Sequence, residues 1–183
     1  MPGMKKILSM IGSESQQQIM VKGKTVETIG YLLASVKTHP ELFEADCKEI
    51  MESMMKMSLT MDFDNSMHKP IFIVYENVST SLKENFAVYA QHIYPLVIKS
   101  ANRTVEFTII EEGDVSKAEA LKKKNNSYAA YKLDLKIDGV KSLVLNTDHL
   151  AQKIEATNLI VQMAEDMGHS FSSYIEQTIP TVK

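Results

Sequence analysis

Asp62, Asp64 and Ser66 stand at alternate positions, the spacing at which the first oxygen ligands of a calcium loop face one ion. Such a loop needs Gly at its sixth position for the sharp turn and Glu at its twelfth to close the shell, and the chain has Met67 and Ile73 there. Calcium is therefore not expected. Ser66-Met67-His68-Lys69 has the spacing of a Ser-x-x-Lys nucleophile without its companion motifs, and reads as a helix N-terminus. His39, His68, His92, His149 and His169 are scattered without metal-ligand spacing, so zinc is not expected either. Cys47 lies on an apolar helical face, where a thiol packs as a small hydrophobe rather than acting as a nucleophile. No Gly-rich loop is present to cradle a phosphate. The expectation is a chain with no catalytic residue, no cofactor and no metal, working by binding and not as an enzyme.

The residues left to carry function are charged or aromatic. Glu111, Glu112 and Asp114, followed by Lys122, Lys123 and Lys124, form a loop that reads either as a docking strip for a partner or as a solvated segment. The aromatic residues fall in a repeated pattern. Phe86, Tyr89 and Pro95 return as Phe171, Tyr174 and Pro180, each copy with Tyr three and Pro nine residues after Phe. A degenerate third copy starts at Phe43, which lies 43 residues before Phe86, while Phe171 lies 85 after it. A period of about 40 to 47 residues is the signature of HEAT or armadillo repeats, helix pairs that bury their apolar faces against their neighbours. Phe43, Phe86, Tyr89, Pro95, Phe171, Tyr174 and Pro180 are accordingly expected in the repeat core.

The elements that would position these residues follow from apolar spacing. Met4, Ile7, Leu8 and Ile11 mark an opening helix, the second half of a partial repeat at 1–12. Val26, Ile29, Leu33 and Val36, then Phe43, Cys47, Ile50, Met54 and Met57, mark a helix pair within 22–58. Ile71, Val74, Val78 and Leu82, then Phe86, Tyr89, Ala90, Ile93 and Val97, mark a second pair within 67–101, with Pro95 bending its second helix. From Asn102 the period fails, and 102–146 reads as an insertion. At its end Leu133, Leu135 and Ile137 alternate with Lys132, Asp134 and Lys136, and Asp138-Gly139 is a strong two-residue turn signal. A hairpin at 131–145 is expected, with strand nowhere else. Asn146-Thr147-Asp148 then caps a helix carrying Ile160, Met163, Ala164 and Met167, which Gly168 ends, and a last Phe-Tyr-Pro helix starting at Phe171 is expected to complete a repeat over 147–183.

Composition agrees with a helical array. Seven Gly and five Pro in 183 residues are too few for a fold built on tight turns. Twelve Met and no Trp suit an adaptable apolar interior. A net charge of −3 argues against nucleic acid as the partner, and no apolar run is long enough to span a membrane. A single cysteine fits a reducing cytosolic or nuclear setting.

Met1 to Ile7, then Gly23-Lys24-Thr25-Val26-Glu27-Thr28-Ile29, then Lys83-Glu84-Asn85-Phe86 through Pro95-Leu96, and finally Asn158-Leu159-Ile160 through Tyr174, resemble in order the middle repeats of importin-beta (karyopherin-beta) nuclear transport receptors, the importin beta-3 type above all. The resemblance spans essentially the whole chain. It implies an all-α superhelix, here a central fragment of a longer receptor, that wraps cargo proteins, works with the Ran GTPase, touches Phe-Gly nucleoporins and shuttles between cytoplasm and nucleus. One departure concerns the insertion. The family's is expected to be acidic, whereas 102–130 here balances five positive against five negative residues. Another HEAT-repeat scaffold or adaptor is the alternative reading.

An array cut from its neighbours exposes apolar faces at its ends. The stripe Met4, Ile7, Leu8, Ile11 and the stripe Phe171, Tyr174, Ile175, Ile179 are expected to be open, and the isolated fragment to self-associate through them.

Overall fold

A computed structural model describes residues 16–35, 40–111, 128–135 and 139–181. The expected helix at Met4 to Ile11, and most of the candidate partner loop, lie outside these residues. Helix α1 runs Gln16–Ser35, α2 Pro40–Thr60, α3 His68–Leu82, α4 Ala87–Ala101, α5 Thr147–Met167 and the short α6 Ile175–Thr178. Strands β1 Phe107–Glu111, β2 Tyr128–Leu135 and β3 Gly139–Asn146 lie between α4 and α5.

The helices form two layers. Helix α3 packs between α1 and α5, while in the second layer α2 touches α3 and α4, and α4 packs against α5. That position explains the composition of α3, whose Ile71, Phe72, Val74, Tyr75 and Val78 are all wholly buried where an edge helix would show one apolar stripe. Gly30 of α1 is what lets α3 come close: a Cβ there would lie 3.2 Å from the Val74 Cα. One continuous core runs from Val26 through Cys47, Phe72, Phe86 and Leu159 to Phe171, as expected when neighbouring helix pairs bury each other's faces.

Local chemistry sets the boundaries. Pro70 sits in the first turn of α3, where its missing N–H has no helical partner to lose, and the Asn65 side chain accepts from the Met67 N–H at 2.9 Å just ahead of it. Asn146 caps α5, accepting from the N–H groups of Asp148 and His149 at 3.1 Å each. Gly168 closes α5 at φ 52°.

Three expectations need correction. Strand is not confined to 131–145: β2 begins at Tyr128, and β1 pairs with β3 in a three-stranded antiparallel sheet of order β1-β3-β2. The run Phe107-Thr108-Ile109-Ile110 has strand propensity, but its partner lies far along the chain, beyond the reach of a local pattern. Gly139 is a strand residue opposite Leu135 and not part of a two-residue turn. Finally, 168–181 is not one helix but a 3₁₀ segment Gly168–Tyr174, α6, and a second 3₁₀ turn Ile179–Thr181. Ser172 and Ser173 are weak helix formers, and Pro180 removes a backbone donor.

Candidate interaction site

The residues of the repeated aromatic pattern separate into core and surface. Phe86 is wholly buried and Phe171 nearly so. Each carries its Tyr beside it: Tyr89 lies 6.1 Å from the Phe86 ring and Tyr174 5.6 Å from Phe171, both tilted. Tyr94 joins the second group, its hydroxyl 2.5 Å from the Thr178 hydroxyl and donating to the Tyr174 carbonyl at 3.3 Å. Pro95 and Pro180 were expected in the core, yet both are exposed. The backbone break a proline makes is tolerated on the side where water can satisfy the freed carbonyl. Phe43 belongs to α2, with its side chain outside the described residues. Glu111 ends β1, opposite Lys141 in register. Glu112, Asp114, Lys122, Lys123 and Lys124 lie outside the described residues. Of the terminal stripe, Ile175 and Ile179 are about half exposed at 47% and 49%, but Phe171 is covered by its own neighbours, so that face is less open than its sequence suggests.

Two polar clusters that local patterns did not show hold α5 in place. The first is built on Arg103, whose side chain is only 8% exposed. Its guanidinium donates to Gln152 Oε1 at 2.5 Å, to the Asp64 carboxylate and to His149 Nε2 at 3.0 Å. That last bond needs a lone pair on Nε2, which places the His149 proton on Nδ1. Lys99 and Arg103 both sit over the Phe63 ring, 4.2 and 4.6 Å from its centroid, a cation–π arrangement. Lys153 donates to the Arg103 carbonyl at 3.1 Å. Beside this cluster His68, fully buried, lies 3.1 Å from the Asp62 carbonyl through Nε2, and burial pushes its pKa below the ordinary imidazole value. Asp64, the residue that imitates a calcium ligand, is thus engaged by Arg103. Among the described residues no three His, Cys, Asp or Glu side chains are grouped to hold a metal.

The second cluster lies at the other end of α5. The Asp166 carboxylate receives Lys83 Nζ on one oxygen and Gln162 Nε2, at 2.8 Å, on the other. Burial alone would raise its pKa, but these donors, with Ser79 beside them, carry it below the usual carboxylate value. Glu76 of α3 goes the other way, raised by burial and then by the charges of Glu155 and Asp166. Glu76, Glu155 and Asp166 therefore make an acidic seam where α3 meets α5. Sequence held one signal for it: Asp166 follows Leu159 and Met163 on the apolar face of α5, where a charge needs a partner.

Cys47, 2% exposed, has its thiol pushed up to about 12 by burial, which suits a core residue. No helix among the described residues is long and apolar enough to cross a membrane.

No family model and no curated protein matches this chain. Among solved structures, Kap121p matches over 99% of this chain with a TM-score of 0.64 at 16% identity. The chain has the karyopherin fold. Kap121p bound to Nup53p matches over 99% with a TM-score of 0.64 at 14% identity, and Kap121p bound to RanGTP over 97% with a TM-score of 0.54 at 14% identity. The present chain spans 16% of the first two Kap121p chains and 19% of the third. Karyopherin structure is a HEAT-repeat helical superhelix, and the three-stranded sheet between α4 and α5 is carried within it.

Proposed function

We propose that this chain is a segment of a nuclear import receptor of the karyopherin-beta kind, in its importin beta-3 branch, that binds cargo proteins and works with Ran-GTP at the nuclear pore. The reading rests on one observation, a match to Kap121p running along nearly the whole chain, insertion included, in forms bound to RanGTP, to Nup53p and to Ste12p. Its work is binding without catalysis, its partners are cargo, Ran and Phe-Gly nucleoporins, and its parent shuttles between cytoplasm and nucleus. Glu76 and Glu155, with the Lys83-bound Asp166 behind them, suit a basic segment of cargo, because a Lys or Arg placed there offsets the charge repulsion that adds to burial in raising the Glu76 pKa.

The test is a binding assay on the full-length parent with Ran-GTP, Phe-Gly repeats and a lysine-rich peptide. Capture of the peptide, its release by Ran-GTP, and loss of capture in Glu76→Lys with Glu155→Lys are expected. A parent that ignores Ran-GTP and Phe-Gly repeats overturns the reading in favour of a HEAT-repeat scaffold or adaptor.

A further inference from the structure

Lys83 and Gly168 close α3 and α5 with one and the same backbone turn, φ 55° and ψ −129° at Lys83 against φ 52° and ψ −122° at Gly168. Each stands three residues ahead of the Phe of its repeat, so the two turns are repeat equivalents. Glycine adopts this conformation freely, whereas for lysine it is strained and persists only when the surroundings impose it. The surroundings of Lys83 are specific. Its ammonium meets an Asp166 carboxylate whose side chain is 2% exposed, and Asp166 belongs to the last turns of α5. The contact thus ties the turn between α3 and α4 to the helix that opens the next pair. Glu76 of α3 is close enough to this carboxylate for the two charges to repel, so Lys83 also counters that repulsion.

The two ends of α5 differ. At its start the Arg103 side chain is buried among Gln152, His149 and Phe63. At its other end the Lys83 side chain is 59% exposed, open to salt and to competing cations.

We propose that the Lys83–Asp166 ion pair is a latch that sets the angle between the second and third helix pairs, and that opening it lets α5 swing from α3 about the Arg103 cluster. In a solenoid each repeat touches only its neighbours, so a change of angle at one junction re-aims every repeat beyond it.

Spin labels placed at exposed Thr28 of α1 and Ala164 of α5, by Thr28→Cys and Ala164→Cys in a Cys47→Ala background, report that angle. A narrow distance distribution is expected with Lys83 in place. Lys83→Gly, which suits the turn and so leaves the chain folded, is expected to broaden the distribution roughly twofold and lengthen its mean, as a released hinge does. Asp166→Asn should act in the same direction and Lys83→Arg should retain the narrow distribution. High salt should broaden the Lys83 chain and leave the Lys83→Gly chain unmoved. A distribution unchanged by Lys83→Gly, with circular dichroism also unchanged, overturns the latch and leaves the ion pair a surface contact.

Discussion

Arg103 donates to Gln152 at 2.5 Å, joining the residues that follow α4 to the second turn of α5 across the whole insertion. The bond to His149 and the Lys153 contact to the Arg103 carbonyl make the same crossing. The ends of the insertion are thereby held together by contacts between its flanking helices.

Excision follows from that closure. Replacing 107–145 with a short Gly-Ser linker is expected to leave the helical signal and the melting temperature nearly unchanged, since a closed loop base makes loop length a weak term. Arg103→Ala in the intact chain should cost roughly 2 kcal/mol, because Gln152 and His149 lose their donor in a partly buried site. Thermal melting of both variants checks this, and an excised chain that loses its helices would count against it.

Phe86 and Phe171 share a sequence pattern and differ in cover. Phe86→Ala should destabilise by about 3 to 5 kcal/mol, the range for deleting a fully buried aromatic ring. Phe171→Ala should cost less, since its neighbours Ile175 and Ile179 are half exposed. Urea unfolding of the two variants gives the comparison, and a neutral Phe86→Ala would refute the repeat alignment.

His68 gives the stability a pH dependence with a definite sign. Its folded pKa is depressed by burial, so as pH falls the unfolded chain takes up a proton first, at the ordinary histidine value of about 6.5. The contribution is fully present above that value and is lost as pH falls from it toward the lower folded pKa. The urea midpoint should therefore drop between pH 7.5 and 5.5, and the drop should be smaller in His68→Phe. Equal drops in both chains would show that other groups carry the effect.

Cys47 should be inert in the folded chain. With its thiol buried and its pKa pushed up to about 12, labelling by a disulfide reagent at pH 8 should be slow and should become fast on adding denaturant. Fast labelling of the folded chain would place the thiol at the surface.

The helices were legible in the sequence because each obeys a rule of short range. Val26, Ile29 and Leu33, or Leu159, Met163 and Met167, share a face by spacing alone, and Asn146 and Gly168 mark ends through bonds made within a few residues. Phe86 with Tyr89 and Phe171 with Tyr174, alike in their sequence spacing, each set a buried Phe beside a partly buried Tyr. Tertiary structure decided the rest. β1 became a strand only because β3 lies beside it, and Pro95 and Pro180 share the spacing of the core while facing water. Arg103 found Asp64, Gln152 and His149, and Lys83 found Asp166, across separations at which local spacing says nothing about direction. A charge is placed by the partner that offsets its desolvation, and that partner is set by how whole helices stack.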